Sequence, residues 1–329
     1  MEQNWKHWLA AFLMGVMLPG LIFRIAAGLS QGSNLQQNTQ QTQATTAPDW
    51  PKNLPMTQNI PVLHGKKVEI LDLDTYLVGV LLAEMPASFG IEALKAQAVA
   101  ARTCALEFMQ DSHKHPVLAV CTDSTCCQAY ITPEEYRLQG GAQKDIDKIQ
   151  KAVADTAGQV LTYQGQLIEA TYFSCSGGRT EDAVAVWGEE VPYLQSVESP
   201  GEEWAHIYTQ SVTFSASEFA ACLGRKLYGA PETWLGQVRH TRGGGVDTMM
   251  VAGKSYTGVQ LRQLLSLNST AFTMKAEGNT ITVTTSGRGH RVGMSQYGAE
   301  AMAAAGSTYE QILQYYYQGV RIDKLGAVE

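Results

Sequence analysis

The hydrophobic and polar positions of the chain predict a mixture of helices and strands after residue 61. Asp74 is suitably placed to cap a first helix, which Pro86 ends because the residue before a proline avoids helical angles. Glu84 therefore falls in the last turn of this helix. The alanine-rich segment from Ile91 to Met109 carries apolar residues at core spacing and predicts a second helix.

Alternation of apolar and polar residues predicts several strands further along the chain. Strand segments are predicted at 62–73, at 158–173 as a pair around a turn, at 212–253 together with one short helix, and at 280–285. Three further helices are predicted at 255–267, 295–305 and 308–318. These elements predict an α+β fold with a mixed, β-rich core and packed helices, in which residues of about 205–285 form a smaller subdomain.

The first sixty residues differ from the rest of the chain. A largely apolar stretch over residues 8–27 is long enough to cross a hydrocarbon core and predicts a transmembrane helix. Its basic flank predicts that residues 1–7 stay in the cytoplasm and that the bulk of the chain is exported. A cleaved signal peptide is the alternative, because the run is short and ends in small residues. Residues 28–60 are rich in polar residues and proline and predict a flexible, disordered linker to a folded domain over 61–329.

Composition narrows the class of protein. The chain has 329 residues, of which 45% are apolar, and a formal net charge of -7. This content supports the packed core of one large or two modest domains. A negative charge without a cluster of lysines and arginines argues against a protein that binds nucleic acid through phosphates. Six cysteines are too few for a disulfide-held scaffold, so each needs its own explanation.

Glu84 is a candidate general acid on physical grounds. The negative end of its helix and the apolar residues around it both disfavour the ionised carboxylate, which predicts a raised pKa. A carboxyl that stays protonated near neutral pH is what a general acid requires. A solvated glutamate at a helix end is the alternative interpretation. Lys95 and Arg102 lie seven residues apart, on one face of the second helix, and either orient a ligand in a cleft or face solvent.

His115, Cys121 and Cys127 follow one another at equal spacings of six residues. One imidazole and two thiolates from a short loop are soft ligands that suit tetrahedral Zn²⁺. A disulfide, or thiols buried as small apolar groups, are the alternatives. Three more residues of the same types are further ligand candidates: His113, Cys126 and Cys175.

Four stretches of the chain are distinctive when taken together: residues 82–86 with 92–103, 122–130, 172–180 and 289–299. In this order they resemble the stage II sporulation protein D family. The likeness runs from about residue 61 to 329, and the wider group includes a modifier of cell-wall amidase. It implies a membrane-anchored lytic transglycosylase of endospore formers, which cuts the MurNAc–GlcNAc linkage of peptide-stripped peptidoglycan strands to a 1,6-anhydro product during engulfment. It also implies an extracytoplasmic catalytic domain on a single-pass anchor in the cell membrane, and stage II sporulation proteins P and M as partners.

The resemblance also implies roles for individual residues. Glu84 matches the family's catalytic glutamate, Lys95 matches a supporting basic residue near it, and a subset of the family binds a metal at positions that match His115, Cys121 and Cys127. Because acid chemistry at Glu84 needs no metal, a structural or loop-positioning role is favoured for zinc. The residues assigned to substrate binding are Arg102, Ser176, Gly177, Arg179, His290, Ser295, Gln296 and Tyr297. A plain strand-to-loop turn at Ser176 and helix capping by Ser295 are the simpler interpretations of the later motifs. Arg291 stands where the family usually has glycine, which adds a bulky cation beside His290.

Two other functions are consistent with the same residues. A wall-binding module that activates an amidase without chemistry of its own needs no catalytic glutamate. A zinc hydrolase would stop turning over when its metal is removed.

Overall fold

A computed structural model describes residues 59–65, 67–110, 115 and 119–326. Within this part of the chain, none of the helices combines the length and apolar character needed to span a membrane. The predicted cytoplasmic tail, transmembrane helix and nearly all of the predicted linker lie outside the described residues. Residues 59 and 60, which the prediction assigns to the linker, already belong to the first strand.

The described residues form fourteen strands and nine α-helices. The strands are β1 (Asn59–His64), β2 (Lys67–Asp72), β3 (Val120–Cys121), β4 (Gln159–Tyr163), β5 (Gln166–Leu167), β6 (Tyr172–Phe173), β7 (Thr209–Ser215), β8 (Leu235–His240), β9 (Val246–Val251), β10 (Lys254–Thr257), β11 (Phe272–Glu277), β12 (Thr280–Ser286), β13 (Met294–Ser295) and β14 (Arg321–Lys324). The helices are α1 (Leu73–Glu84), α2 (Ile91–Gln110), α3 (Pro133–Leu138), α4 (Gln143–Asp155), α5 (Ala183–Trp187), α6 (Ala216–Cys222), α7 (Gly258–Leu264), α8 (Gln296–Ala304) and α9 (Tyr309–Tyr316).

The strands of the described part pair into small sheets rather than one large one. Their orders are β2–β1–β3, β14–β4–β5, β13–β6, β10–β9–β8 and β11–β12–β7. β1 pairs in parallel with β3, and β13 pairs in parallel with β6, whereas the other pairings are antiparallel. The predicted mixed α+β architecture is therefore confirmed for this part of the chain.

The main core is built around α1 and α2. Nearly every side chain of α1 between Leu73 and Leu82 is buried, as expected for a helix that is apolar on all sides. The alanines of α2 let it pack closely against α1, α4, α8 and α9. This central position fixes the end of α1, and with it Glu84, within the folded domain.

A second apolar core lies within the segment predicted as a subdomain. It contains Phe219, Trp234, Leu261 and Val283, among other side chains of β7 to β12. Its sheets carry their own antiparallel registers, so this segment buries apolar surface largely within itself.

Arg291 connects the two cores. Its guanidinium forms a buried ion pair with Glu181, with 3.2 Å between Nη1 and Oε1. The Arg291 Nη2 also donates to the carbonyl of Gly243, and the backbone N–H of Gly245 donates to Glu181. The cation expected beside His290 is therefore buried and paired between the main core and the segment after β8.

Some element predictions are wrong in detail. The N-cap of α1 is Asp72, whose Oδ1 accepts from the N–H groups of Asp74 and Thr75, so Asp74 is not the cap. The helix predicted from residue 255 begins at Gly258, because β10 occupies Lys254–Thr257. Helices α3, α4 and α5 and strands β3, β11, β13 and β14 were not predicted.

Candidate functional site

Glu84 is the last residue of α1, as its sequence context predicts. The next residue, Met85, has extended backbone angles (φ -132°, ψ 137°), and Pro86 follows it. Leu82 and Met85 are buried in the core, while the Glu84 side chain is only partly exposed. The carboxyl thus lies at a helix terminus, between an apolar core and solvent.

Two neutral donors hold the Glu84 carboxyl. The backbone N–H of Ala129 donates to Oε1 at 2.9 Å, and the side-chain amide of Gln296 donates to Oε2 at 3.5 Å. Burial raises the pKa of Glu84 above its ordinary value, and the two hydrogen bonds offset only part of that rise. The predicted direction of the pKa shift is confirmed, with burial as its main cause.

Gln128 fixes the segment that supplies Ala129. This buried side chain accepts from the hydroxyl of Tyr76 at 3.1 Å, and its amide donates to the hydroxyl of Tyr172 at 2.8 Å and to the carbonyl of Ala101 at 3.3 Å. Sequence reasoning did not assign Gln128 a role, although it lies in one of the four matched stretches. A buried amide with three partners orients the backbone of the next residue, and so the N–H that contacts Glu84.

The structure brings His115, Cys121 and Cys127 together, and adds Cys126 to them. One ligand atom from each of the four residues lies within 4.8 Å of every other. The His115 Nε2 is 3.3 Å from the Cys127 sulfur and 3.6 Å from the Cys126 sulfur. The Cys127 side chain, through a hydrogen bond, lowers the pKa of Cys121 to about 5. This favours a thiolate, the form that binds metal.

Cys175 is not part of this cluster. Its sulfur donates to the buried carboxylate of Glu202 at 3.0 Å, and burial raises the pKa of its thiol. Cys175, one of the further ligand candidates, is therefore not a ligand of this cluster. His113, the other candidate ligand, lies outside the described residues.

The small-residue turn at 174–180 is a structural anchor. The N–H groups of Ser176 and Gly177 both donate to Glu202, at 2.7 and 3.3 Å, and the Ser176 hydroxyl donates to the same carboxylate. The Arg179 guanidinium forms a surface ion pair with Glu198 at 2.9 Å. These donors are engaged within the protein, so the structure does not support their predicted role in binding substrate.

The four site residues predicted in the last motif have different surroundings. Gln296 contacts Glu84, as described above, and Tyr297 packs its partly exposed ring nearby. Ser295 is buried and caps α8 by accepting from the N–H of Gly298, which is the simpler of its two interpretations. The partly buried His290 donates from Nε2 to the carbonyl of Tyr172 at 3.1 Å.

His290 is a neutral imidazole in this setting. Its Nδ1 accepts from the N–H of Val292 at 3.1 Å, which leaves Nε2 as the donor. Burial, together with the nearby Arg262 guanidinium, lowers the pKa of His290 to about 4. The residue therefore connects the Tyr172 strand to the last motif without carrying charge near neutral pH.

The structure does not bring Arg102 to Glu84. The Arg102 guanidinium is fully buried, donates to carbonyls at the end of α4, and pairs with Asp74 at 3.2 Å. Asp74 lies in the first turn of α1 and Glu84 ends the helix, a separation of about 15 Å at 1.5 Å per residue. The predicted contact of Arg102 with substrate is wrong on this geometry, and the residue instead holds α1, α2 and α4 together.

Lys95 lies on the same helix as Arg102 and is also engaged. Its ammonium is 2.9 Å from Glu92 and 3.4 Å from Asp155, and lies over the ring of Tyr309. These partners satisfy the charge within the protein, and none of them contacts Glu84. The supporting role predicted for Lys95 is therefore not a direct contact with the candidate acid in this structure.

Comparison with known proteins defines the class of protein to which this site belongs. Residues 64–163, which contain Glu84, Gln128 and the histidine–cysteine cluster, match the model of the stage II sporulation protein family. Stage II sporulation protein D of Bacillus subtilis (strain 168) is 43% identical over 276 residues, which are 82% of this chain and 80% of that protein. The protein of the same name from Bacillus amyloliquefaciens is 40% identical over 83% of this chain and 80% of that protein.

This chain therefore belongs to the stage II sporulation protein D family. A more distant relative, the amidase enhancer of Bacillus subtilis (strain 168), is 29% identical over 300 residues. That match covers 75% of this chain and 40% of the amidase enhancer.

Proposed function

We propose that this chain is a peptidoglycan lytic transglycosylase in which Glu84 serves first as general acid and then as general base. The observation that carries the proposal is the carboxyl of Glu84, a partly exposed residue, whose pKa is raised by burial and whose two donors are both neutral. Such a group keeps its proton to a higher pH than an ordinary glutamate and can deliver it to a ligand. Membership of a sporulation protein family supports a glycan strand of the cell wall as the substrate.

One carboxyl is sufficient for the proposed reaction. Glu84 gives its proton to the bridging oxygen between MurNAc and GlcNAc as the bond from that oxygen to C1 breaks. The 6-hydroxyl of the same MurNAc then bonds to C1, and the ionised Glu84 takes the proton of that hydroxyl. The products are a 1,6-anhydro end and a free GlcNAc hydroxyl, and no water is added. A hydrolase of the usual kind needs a second carboxylate, as nucleophile or to activate water.

The products of digestion test this proposal. Purified protein incubated with peptide-free glycan strands is expected to release anhydro-ended fragments, which mass spectrometry separates from hydrolysed fragments by the mass of one water. Glu84→Gln keeps the size of the side chain but has no proton of this kind to give, so it is expected to release none. Fragments from the Glu84→Gln variant at the wild-type rate would refute the proposal.

We also propose that His115, Cys121, Cys126 and Cys127 hold a zinc ion with a structural role. In a tetrahedral site with Zn–S bonds near 2.3 Å and Zn–N bonds near 2.0 Å, neighbouring ligand atoms lie roughly 3.5 to 3.8 Å apart. The separations of 3.3 and 3.6 Å from the His115 Nε2 to two sulfurs fit that geometry. When bound, zinc would supply a fixed point for the loop.

The donor set favours a structural over a catalytic metal. Four protein ligands fill a tetrahedral shell and leave no position for a reactive water, which argues against a zinc hydrolase. Metal analysis with thiol titration tests this role. About one zinc per chain, with the cluster thiols becoming reactive only after chelation, is the expected result. Chains without metal, or with cluster cysteines joined in a disulfide, would contradict it.

The setting of the proposed reaction follows the family and the N-terminal sequence. We propose that residues 8–27 anchor the chain in the cell membrane and that the folded domain acts outside it, where peptidoglycan lies. Stage II sporulation proteins P and M are proposed partners during engulfment. Protease protection of the folded domain in intact cells, relieved only by disrupting the membrane, would contradict this orientation.

A second function is supported by one comparison. The likeness to an amidase enhancer over 75% of this chain favours a module that stimulates a wall amidase. In that case Glu84→Gln would stimulate the amidase as well as wild type does, and neither protein would cut peptide-free strands. If Glu84→Gln instead loses both the stimulation of the amidase and the cutting of strands, the result favours the transglycosylase.

A further inference from the structure

Three aromatic rings pack together in segments that adjoin Glu84. The ring centroids of Phe89 and Tyr297 are 5.1 Å apart, and that of Trp204 lies 6.1 Å from Phe89 and 5.0 Å from Tyr297. Phe89 lies five residues after Glu84, and Tyr297 directly follows Gln296, whose amide contacts the Glu84 carboxyl. Two separate segments that adjoin Glu84 in the chain or through Gln296 therefore contribute rings to this aromatic cluster.

Trp204 is the member of the cluster that faces solvent. Its side chain is 59% exposed, whereas Phe89 is only 4% exposed. An indole is large and mostly apolar, and tryptophan is on average a strongly buried residue. Since Phe89 and Tyr297 pack against the indole, the cluster presents to solvent an apolar ring that is held in place by two others.

The turn that carries Trp204 is held firmly. Two residues earlier, the fully buried Glu202 carboxylate accepts from the N–H of Ser176 at 2.7 Å and from the hydroxyl of Ser199 at 2.5 Å. On the other side of Trp204, Ala205 is buried and its N–H donates to the carbonyl of Glu202. An exposed side chain on a fixed turn loses little conformational freedom when a ligand covers it.

We propose that Trp204 is a stacking platform for one sugar ring of the glycan strand. The inference rests on the proposed function, and it names a binding subsite for the same substrate. The apolar C–H face of a pyranose covers the indole and removes apolar area from water, while the sugar hydroxyls stay solvated. A strand whose cleaved bond lies at Glu84 would extend past Tyr297 and lay another of its rings on Trp204.

The platform is tested by measuring strand binding in a variant that is expected not to cut the strands. Full-length Glu84→Gln protein is mixed with insoluble peptide-free glycan strands, and its affinity is compared with that of the Glu84→Gln/Trp204→Ala protein. The tryptophan change is expected to weaken binding about tenfold, which corresponds to about 1.4 kcal/mol. Trp204→Phe retains a ring and is expected to recover most of the affinity. Tyr228→Ala, at an aromatic residue that is 81% exposed in the second core segment, is the matched control and should bind like the parent.

The outcomes separate the platform from the reaction. Equal affinity of the Trp204→Ala protein and its parent would overturn the platform, as would failure of the parent to bind strands. If Trp204→Ala lowers the affinity and Trp204→Phe restores it, the platform is supported. This holds even if Glu84→Gln still cuts strands and the proposed general acid is wrong. In the cutting-competent protein, Trp204→Ala is expected to raise KM far more than it lowers kcat, and the reverse pattern would contradict a binding role.

Discussion

At the scale of single residues, the properties of Glu84 come from its position at the boundary of the core. Glu84 is a partly exposed residue at the end of α1, and burial of its carboxyl raises its pKa. The backbone N–H of Ala129 and the amide of Gln296 hold its two oxygens in place. The two donors therefore fix the position of the carboxyl and also offset part of the rise in its pKa.

The raised pKa of Glu84 predicts a pH-dependent difference in stability. The folded chain binds this proton more tightly than the unfolded chain, whose glutamate has a pKa near 4.5, so the contribution is complete at low pH and is lost as pH rises through the folded pKa. Glu84→Gln cannot ionise and should become more stable relative to wild type between about pH 4 and pH 8. Urea unfolding at both pH values measures the difference. A pH-independent difference would argue against a raised pKa.

Gln296 predicts a shift in the pH–rate profile. Its amide stabilises the ionised form of Glu84, so Gln296→Met, which keeps the volume but removes the donor, should raise the Glu84 pKa further. The alkaline limb of kcat is therefore expected to move to higher pH. Gln263→Met, at an exposed position on α7, is the control and should leave the limb where it is. Movement to lower pH in the Gln296 variant would reverse the assigned role.

Gln128 predicts a loss of stability. Gln128→Leu leaves the buried hydroxyls of Tyr76 and Tyr172 without their partner and is expected to cost about 2 kcal/mol in the free energy of unfolding. Gln143→Leu, at an exposed position on α4, should change it by less than about 0.5 kcal/mol. Chemical denaturation of both variants checks this, and equal effects would show that the buried network carries no special weight.

At the scale of elements, Arg291 combines a useful ion pair with an unfavourable backbone. Its φ of 68° lies in the left-handed region, while its guanidinium pairs with Glu181 between the two cores. Arg291→Ala and Arg291→Gly both remove the pair, and breaking a buried pair is expected to cost about 3 to 5 kcal/mol. Glycine relieves the backbone, so Arg291→Gly should be about 1 kcal/mol more stable than Arg291→Ala. Thermal unfolding that ranks the two the other way would contradict this account.

Elements with a strong local signal were predictable from the sequence, and those without one were not. α1 and α2 combine a long apolar pattern with Pro86 between them, and both end within a residue or so of their predicted bounds. α3 buries no side chain, so it leaves no periodic pattern, and only its capping box from Thr132 to Glu135 marks it. α4 does show helical spacing of Ile146, Ile149 and Val153, which indicates a helix with one buried face.

At the scale of the whole molecule, the site depends on contacts between distant parts of the chain. Glu84 and Gln296 are 212 residues apart in sequence, and Glu84 and Ala129 are 45 apart. The sequence predicted that Glu84 lies in the last turn of a helix and that His115, Cys121 and Cys127 act together, and the structure has Glu84 at the helix end and these three residues in one cluster. The sequence could not show that the Arg102 guanidinium donates to carbonyls at the end of α4. A buried arginine and a substrate-binding arginine have the same spacing in a helix pattern.

The route from the cluster to Glu84 predicts the effect of removing metal. Cys127 lies two residues before Ala129, so a loosened cluster frees the N–H that holds the carboxyl. Chelation of the intact protein is expected to increase amide hydrogen exchange across residues 119–131 and to lower activity at least about tenfold. Cys126→Ser should bind metal more weakly, whereas Cys222→Ser, away from the cluster, should not. If the chelated protein keeps full activity although the amides of this segment exchange faster, catalysis does not depend on the cluster.

The protonation state of Glu84 is the central claim, and infrared difference spectroscopy measures it directly. Subtracting the Glu84→Gln spectrum from that of wild type across pH isolates the carboxylic C=O band of this one residue. The account predicts that the band persists above pH 4.5 and disappears at the same pH at which kcat for strand cutting falls. A band that disappears at or below the ordinary glutamate value, while cutting continues at neutral pH, would contradict it.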